Sequence, residues 1–252
     1  MKTVKVRELI LGQGRPKICV PLTGRSLSKI EDQLAKLNHY PADMVEWRCD
    51  WFEGIDDWHE IGQALALIRE QLGSLPLLVT FRTAAEGGER AIEEEAYYAL
   101  LNDLACRQEP DLLDMEAWFN PEKTASVTAG LRSRGKKVIL SYHSFSGTPP
   151  LEEMTGRLKE MAAMGADLAK MAVMPESMED VYRLLRATSM VHELDLCPLI
   201  TMSMGRQGLL SRLCGEISGS CLTFGSAGAS SAPGQAAADR LKLILEDIHG
   251  IL

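Results

Sequence analysis

Short apolar runs alternate with longer segments of helical periodicity along almost the whole chain. The runs begin near Ile18, Met44, Leu77, Leu112, Lys137, Leu168, Pro198 and Cys221. In the longer segments, apolar residues recur every three or four positions, the spacing of an amphipathic helix, as in Leu151, Met154, Leu158 and Met161. Each run with its following segment occupies roughly 25–35 residues, the usual size of a strand–helix unit. Eight such units predict an α/β fold, a parallel (β/α)8 TIM barrel.

The main alternative is a doubly wound sheet that binds a dinucleotide. Such a sheet carries a GxGxxG turn directly after a strand, and none of the eight runs is followed by one. Gly12 and Gly14 lie before the first barrel strand, which does not fit that turn. Residues 1–16 show alternating apolar positions and predict an N-terminal β-hairpin instead. We expect one barrel domain over residues 1–252, with this hairpin attached.

Charge, hydropathy and cysteine content exclude several classes of binding partner and cofactor. The 252-residue chain carries a formal net charge of −8, so a broad grip on nucleic acid or on an anionic membrane is not expected. No apolar run approaches the ~18 residues of a membrane span. The six cysteines form no CxxC pair and the five histidines are scattered. We therefore expect a reduced, cytoplasmic protein without a metal or other cofactor.

Polar residues are concentrated near the ends of the predicted strands. In a parallel barrel, functional groups collect at the C-terminal ends of the strands. Because side chains alternate along a strand, Glu46 and Arg48 share one face of the second strand, and Asp114 and Glu116 share one face of the fourth. The other strands carry Arg82 (third), His143 (fifth), Lys170 (sixth), Met202 and Met204 (seventh) and Phe224 (eighth).

Most of these residues have an ordinary structural explanation when each is considered alone. A single glutamate–arginine pair is most often a structural ion pair, a histidine after a strand usually bonds to its loop, and methionines fill cores. Lys170 is harder to explain, because it lies between Ala169 and Met171 and a lysine is rarely buried without a partner. The convergence of these groups at one end of a barrel favours a shared functional site.

A buried lysine in such a site has a specific chemical use. Burial and nearby cations such as Arg48 and Arg82 disfavour the ammonium form. A neutral amine attacks a carbonyl group and gives an iminium ion, which acidifies the adjacent carbon. His143 is suited to take that proton, because histidine has an ordinary pKa of about 6.5. We therefore predict Schiff-base chemistry at Lys170.

The order and spacing of several short motifs resemble a known family. They extend over nearly the whole chain and are KICVPLTG, EWRCD, TFR, EGG, SYH, AKMAVMP, TMSMG, SRLCGE and SAPGQ. Together they are similar to the type I 3-dehydroquinate dehydratases of the shikimate pathway. The resemblance implies dehydration of 3-dehydroquinate to 3-dehydroshikimate in aromatic amino acid biosynthesis, by a cytoplasmic homodimer that needs no cofactor.

The resemblance also implies a role for individual residues. Lys170 matches the Schiff-base nucleophile, His143 the general acid/base and Glu86 the acid that pairs with the histidine. The substrate-binding set comprises Glu46, Arg48 and Arg82 for the hydroxyl groups, Arg212 for the carboxylate, Ser231 and Gln235 in the loop after the last strand, and Met202, Met204 and Phe224 at the ends of strands. Three positions depart from the family pattern: Pro21, Ser144 and Ala229.

Two alternatives remain at this stage. Another class I Schiff-base barrel, an aldolase acting on a sugar phosphate, could use the loop GSAGASSAPGQ (residues 225–235) to hold a phosphate. A non-catalytic metabolite-binding barrel could use the same arginines to bind its ligand. Arg212 together with the other arginines fits a carboxylated polyol better than a sugar phosphate, and a binding protein has no need of a neutral lysine.

Overall fold

The chain begins with a two-stranded hairpin, as the sequence predicts. The computed structural model describes residues 2–117, 120–228 and 234–252. Strand β1 (Val4–Val6) pairs antiparallel with β2 (Leu9–Leu11). Arg7, in the tight turn between them, adopts a left-handed backbone conformation with φ of 52°. The predicted N-terminal hairpin is confirmed.

The strands of the barrel follow the hairpin, and each begins within one residue of its predicted start. Neighbouring strands pair in parallel in sequence order. The eight strands are β3 (Lys17–Leu22), β4 (Met44–Arg48), β5 (Leu77–Thr80), β6 (Leu112–Glu116), β7 (Lys137–Ser144), β8 (Leu168–Val173), β9 (Leu199–Ser203) and β10 (Leu222–Ser226). A short strand β11 (Ala236–Ala237) pairs in parallel with the end of β10.

The sheet closes into a barrel through contacts between β9 and the start of β10. Leu199 and Ser220 form a parallel bridge. The backbone N–H of Cys221 donates to the carbonyl of Leu199 with an N···O distance of 2.8 Å. The hydroxyl of Ser220 accepts the backbone N–H of Thr201 at 2.9 Å. These bonds join the last strand pair, so the predicted parallel (β/α)8 barrel is confirmed.

Helices cover the outside of the barrel between successive strands. In the described ranges they are α1 (Leu27–Leu37), α2 (Trp58–Leu72), α3 (Glu94–Ala105), α4 (Pro121–Ser133), α5 (Leu151–Ala163), α6 (Met178–His192), α7 (Leu209–Leu213), α8 (Gly215–Ser218) and α9 (Ala238–Ile251). Local sequence fixes several of their starts. Helix α6, for example, begins with a capping box in which the side chains of Ser177 and Asp180 satisfy backbone N–H groups reciprocally.

The apolar residues form two cores on opposite faces of the strands. The larger core lies between the strands and the helices and includes Val79, Leu113 and Met171. The smaller core fills the barrel interior, where Leu112 and Ile200 pack with hairpin residues such as Val4 and Leu11. The hairpin therefore covers the N-terminal end of the barrel and leaves the C-terminal end available for a site. None of the helices in the described ranges is long and apolar enough to cross a membrane.

Candidate active site

The side chains that point into the barrel form three layers, because every second residue of a strand faces inward. The lower layer, nearest the hairpin, is apolar and consists of Met44, Leu78, Leu112, Ile139, Leu168, Ile200 and Leu222. The middle layer, two residues further along each strand, consists of Glu46, Thr80, Asp114, Ser141, Lys170, Met202 and Phe224. The upper layer continues with Arg48, Arg82, Glu116, His143, Ala172 and Met204.

A cavity opens above the middle layer at the C-terminal end of the barrel. It is lined by Glu46, Arg48, Thr80, Arg82, Glu86, Gly87, His143, Phe145, Lys170, Ala172, Met202, Met204, Arg212, Phe224 and Gln235. Every site residue predicted from the sequence lies in this lining except Ser231, which is outside the described residues. The structure thus brings together side chains that are as far apart in the sequence as Glu46 and Gln235.

Lys170 is buried in the middle layer and is surrounded by acidic groups. Its side chain is 5% exposed, and its Nζ lies 2.9 Å from Asp114 Oδ2 and 3.9 Å from Glu46 Oε1. The ring of Phe224 lies 4.9 Å from the same nitrogen. Its neighbours Ala169 and Met171 face the helices, which explains why the lysine lies within an apolar run. Its ion-pair partners are these carboxylates, and the predicted nearby cations Arg48 and Arg82 line the same cavity.

Arg82 holds three carboxylates together above Lys170. Its guanidinium donates to Asp114 at 2.7 Å, to Glu116 at 3.0 Å and to Glu86 at 3.3 Å. Burial opposes the charge of Arg82, but these three acids outweigh burial and raise its pKa well above the ordinary value. One arginine therefore balances much of the negative charge of the site.

His143 is oriented by Glu86. The Oε2 atom of Glu86 lies 2.9 Å from Nδ1 of the imidazole and accepts the backbone N–H of His143 at 3.0 Å. Burial lowers the pKa of His143 well below its ordinary value, and the cations Arg82 and Lys170 lower it further. Burial raises the pKa of Glu86 to about 8, against the effect of Arg82. At neutral pH, His143 is an uncharged imidazole that is able to accept a proton.

The EGG motif that carries Glu86 folds back tightly over the end of β5. Glu86 ends a short 3-10 turn, and Gly87 follows with φ of 81°. A Cβ atom at Gly87 would come within 2.2 Å of the ring of Phe145, and one at Gly88 within 1.9 Å of the carbonyl oxygen of Arg82. The two glycines are therefore required for the close approach that places Glu86 beside His143.

Two further polar pairs fix the opposite wall of the cavity. Glu46 Oε1 accepts the hydroxyl of Thr80 at 2.8 Å. Arg48 forms a two-pronged ion pair with Asp50, with both N···O distances at 2.8 Å. Burial opposes the charge of Arg48, but Asp50 outweighs it and raises its pKa. Both Glu46 and Arg48 line the cavity as well.

Arg212 is a buried cation on the other side of the cavity. It lies on α7 with an exposure of only 2%, and its Nη1 lies 3.7 Å from the sulfur of Met202. Burial lowers its pKa to about 10, so it remains charged at neutral pH. The sequence alone did not distinguish Arg212 from a surface arginine. The structure places it in the cavity, where its charge favours an anionic ligand group.

Several residues in and around the cavity were missed or left unassigned by the sequence analysis. Asp114 and Glu116 share an inward face as expected, but their contacts with Lys170 and Arg82 could not be read from spacing. Phe145 and Ala172 carry no polar signal at all. Thr80 lies two residues before Arg82 and therefore on the same face of the chain, which was the one signal that could have identified it.

Comparison with known proteins agrees with this geometry. The family model described as Type I 3-dehydroquinase matches residues 18–251. The chain belongs to the type I 3-dehydroquinase family. A 3-dehydroquinate dehydratase of Bacillus licheniformis is 45% identical over 249 residues, which cover 98% of each chain. One from Clostridium novyi is 42% identical over 253 residues and the full length of both chains.

Solved structures of type I 3-dehydroquinases have the same fold. The enzyme of Clostridium difficile, solved with covalent modified comenic acid, is 40% identical and superimposes with a TM-score of 0.96 over 100% of this chain and 99% of that one. The 3-dehydroquinate dehydratase of Geobacillus kaustophilus is 34% identical, with a TM-score of 0.95 over 99% of this chain and 97% of that one. The family resemblance predicted from the motifs is confirmed.

Proposed function

We propose that this type I 3-dehydroquinase dehydrates 3-dehydroquinate to 3-dehydroshikimate in the shikimate pathway, through an imine between Lys170 and the substrate ketone. The observation that carries the proposal is the position of Lys170, whose amine faces a cavity shared with His143, Glu86 and Arg212. The covalently modified comenic acid in the relative from Clostridium difficile also supports covalent chemistry in this family.

The first step joins Lys170 to the substrate. The amine attacks the ketone carbon, a new C–N bond forms, and the carbonyl oxygen leaves as water. The product is an iminium ion, which withdraws electrons from the carbon atoms next to it. Glu46 and Asp114 lie within 4.0 Å of the nitrogen and favour positive charge there.

His143 moves the protons that follow. As an uncharged imidazole it takes a proton from carbon 2 of the substrate, which turns the iminium into an enamine. The enamine expels the hydroxyl group of carbon 1, and the protonated imidazole supplies the proton with which that group leaves as water. Hydrolysis of the remaining imine then releases 3-dehydroshikimate. Glu86, at 2.9 Å from Nδ1, keeps the ring directed toward the cavity.

The remaining predicted residues bind the substrate. We propose that Arg212 holds the carboxylate, because guanidinium presents a planar fork to two oxygens. Glu46, Arg48 and Arg82 contact the hydroxyl groups, and Ser231 and Gln235 contribute from the loop after β10. Met202 on β9, Met204 directly after it and the ring of Phe224 form an apolar wall that excludes water from the reacting carbons.

The proposal also covers the location, the oligomeric state and the domain organisation of the protein. We infer a cytoplasmic homodimer whose chain folds as one domain over residues 1–252, as the family resemblance implies. All six cysteines are free thiols, which fits a reducing compartment. Size-exclusion chromatography with light scattering measures the oligomeric state.

Borohydride trapping tests the proposed function. Borohydride added together with 3-dehydroquinate reduces the imine, so it should inactivate the enzyme and add one adduct, located at Lys170 by peptide mass spectrometry. Lys136 provides a matched control, because it is also buried but its Nζ donates to the carbonyl of Pro110 at 2.8 Å, away from the cavity. Lys136→Met should retain trapping and Lys170→Met should lose it.

Four results would contradict the proposal. An adduct at another residue, or dehydration without any adduct, would exclude an imine at Lys170. Trapping by a sugar phosphate but not by 3-dehydroquinate would favour an aldolase, and binding without turnover would favour a metabolite-binding protein.

A further inference from the structure

Asp114 occupies a distinctive position directly behind the proposed nucleophile. Its carboxylate is fully buried and does not line the cavity. One oxygen, Oδ2, lies 2.9 Å from Lys170 Nζ. The other, Oδ1, accepts a hydrogen bond from Arg82 at 2.7 Å and one from the hydroxyl of Ser141 at 2.6 Å. With three donors, from Lys170, Arg82 and Ser141, this carboxylate is held in one orientation.

The charge on the lysine nitrogen is the same before and after the imine forms. An ammonium group and a ketone give an iminium ion and water, so one positive charge is present on each side of the reaction. The N–H bond that remains in the iminium is able to donate to the carboxylate that previously accepted from the ammonium. An anion fixed beside this nitrogen therefore stabilises both states and holds the nitrogen in place between them.

We propose that Asp114 is a positioning residue that directs Lys170 toward the substrate ketone and stabilises the positive charge of its ammonium and iminium forms. This inference rests on the imine mechanism given above. Arg82 and Ser141 act through Asp114, because they fix the oxygen that does not contact the lysine.

Asp114 itself does not carry the proton that the amine must release before it attacks. Burial alone would raise the pKa of Asp114, but Arg82 and Lys170 outweigh burial and lower it below the ordinary value. The carboxylate therefore stays ionised near neutral pH. Other charged or titratable groups near Lys170 include Glu46 at 3.9 Å, and His143 and Cys19, whose pKa values Lys170 lowers. Arg48, Arg82, Glu86 and Arg212 line the same cavity.

Glu116 is the natural comparison for Asp114. It lies two residues further along β6 on the same face and also accepts from Arg82, at 3.0 Å. Its other partner is Thr83, whose backbone N–H and hydroxyl both donate to it at 2.8 Å. Removing either acid costs Arg82 one ion pair, but removing Asp114 also takes a carboxylate from Lys170.

The test measures how the reaction of Lys170 depends on pH. Asp114→Asn keeps the shape of the side chain and removes its charge, so the amine should become reactive at lower pH. We expect the midpoint of the borohydride trapping rate against pH to move at least about one unit lower than in the wild type. We also expect kcat to fall about 10²-fold, because the nitrogen is no longer held in place.

The control variants separate positioning from a general loss of structure. Glu116→Gln should leave the trapping midpoint at its wild-type value, because it does not contact the lysine. Asp114→Glu retains the charge and moves the carboxylate, so it should restore the wild-type midpoint but not the wild-type kcat. This variant also allows the test to proceed if Asp114→Asn does not fold, which circular dichroism would reveal.

The outcomes distinguish this inference from the proposed function. Failure of the wild-type enzyme to form an adduct at Lys170 would overturn the imine mechanism and the inference with it. Normal wild-type trapping, together with an unchanged midpoint and kcat in Asp114→Asn, would overturn the inference alone. An equal shift of the midpoint in Glu116→Gln would also overturn it, because the effect would then come through Arg82.

Discussion

The lower and middle layers of the barrel interior are built from the same strands but have opposite chemistry. On β6 and β8, the lower layer contributes Leu112 and Leu168, while the middle layer two residues further on contributes Asp114 and Lys170. All four residues are at most 4% exposed. The two layers are therefore similarly buried and differ in the polarity of their side chains. The lower layer is stabilised by apolar packing, and the middle layer depends on charges that compensate one another.

This contrast shows how one fold can separate stability from chemistry. Apolar side chains in the lower layer tolerate one another in many arrangements, and substitution there chiefly changes packing. A charge in the middle layer is retained only if a partner lies beside it, because an isolated buried ion is strongly unfavourable. Lys170 and Asp114 satisfy each other in this layer, and Arg82 in the layer above pairs with the other oxygen of Asp114.

Among the substitutions considered, replacement of His143 should reduce catalysis the most. His143→Ala removes the proposed general acid/base and should lower kcat roughly 10²–10⁴-fold. Because Lys170 remains, the variant should still form an imine and accumulate a covalent complex, which intact mass spectrometry would detect without reductant. Near wild-type turnover would instead make His143 a structural residue and require another base.

The pH profile of the wild-type enzyme provides a control for this assignment. Burial, Arg82 and Lys170 lower the pKa of His143, so the imidazole stays uncharged and able to accept a proton to a pH below about 6.5. The acid limb of kcat/KM should therefore lie below this value and be absent from His143→Ala. An acid limb above it would contradict the role of His143 as the base.

Replacement of Arg212 should have the next largest effect, on binding more than on chemistry. Arg212→Ala leaves the substrate carboxylate in a buried site without its cation, which should cost about 2–4 kcal/mol and raise KM steeply. Arg206→Ala, at an arginine that does not line the cavity, is a suitable control. If the substrate and an analogue without the carboxylate lost affinity equally, Arg212 would not be the carboxylate ligand.

Replacement of a lower-layer residue should have the smallest effect on catalysis. Leu112→Ala should lower the free energy of unfolding by about 2–5 kcal/mol, because it leaves a cavity in the packed interior. Its kcat should stay within a few-fold of wild type, since the charges above it keep their partners. Denaturant unfolding and steady-state kinetics check the two values.

Leu113→Ala is the matched control for this change. Leu113 is the next residue of β6 and faces the helices, so it should lose a similar amount of stability with a similarly small effect on kcat. A loss of kcat in Leu112→Ala that greatly exceeds the loss in Leu113→Ala would show that the two interior layers are not separable.

The sequence was sufficient to predict the barrel, because each buried strand and each amphipathic helix leaves a periodic pattern of apolar residues. It also identified Lys170, since a lysine between Ala169 and Met171 conflicts with that pattern. It did not predict that Asp114 contacts Lys170, because pairing across strands depends on register and on side-chain length. Arg48 and Arg82, the neighbouring cations named from the sequence, line the same cavity as Lys170, but the carboxylates that pair with the lysine could not be foreseen for this reason. Ser231 stays a prediction.

The hairpin at the N-terminal end of the barrel determines the route by which substrate enters and product leaves. With Val4 and Leu11 packed against the lower layer, the described part of the chain gives access to Lys170 from the C-terminal end. Substrate must then enter, and product must leave, through the same cavity entrance. A product molecule that has not yet left the cavity blocks the next turnover, and the proposed contact between Arg212 and its carboxylate would slow that departure. The rate of product release through this entrance therefore sets an upper limit on kcat.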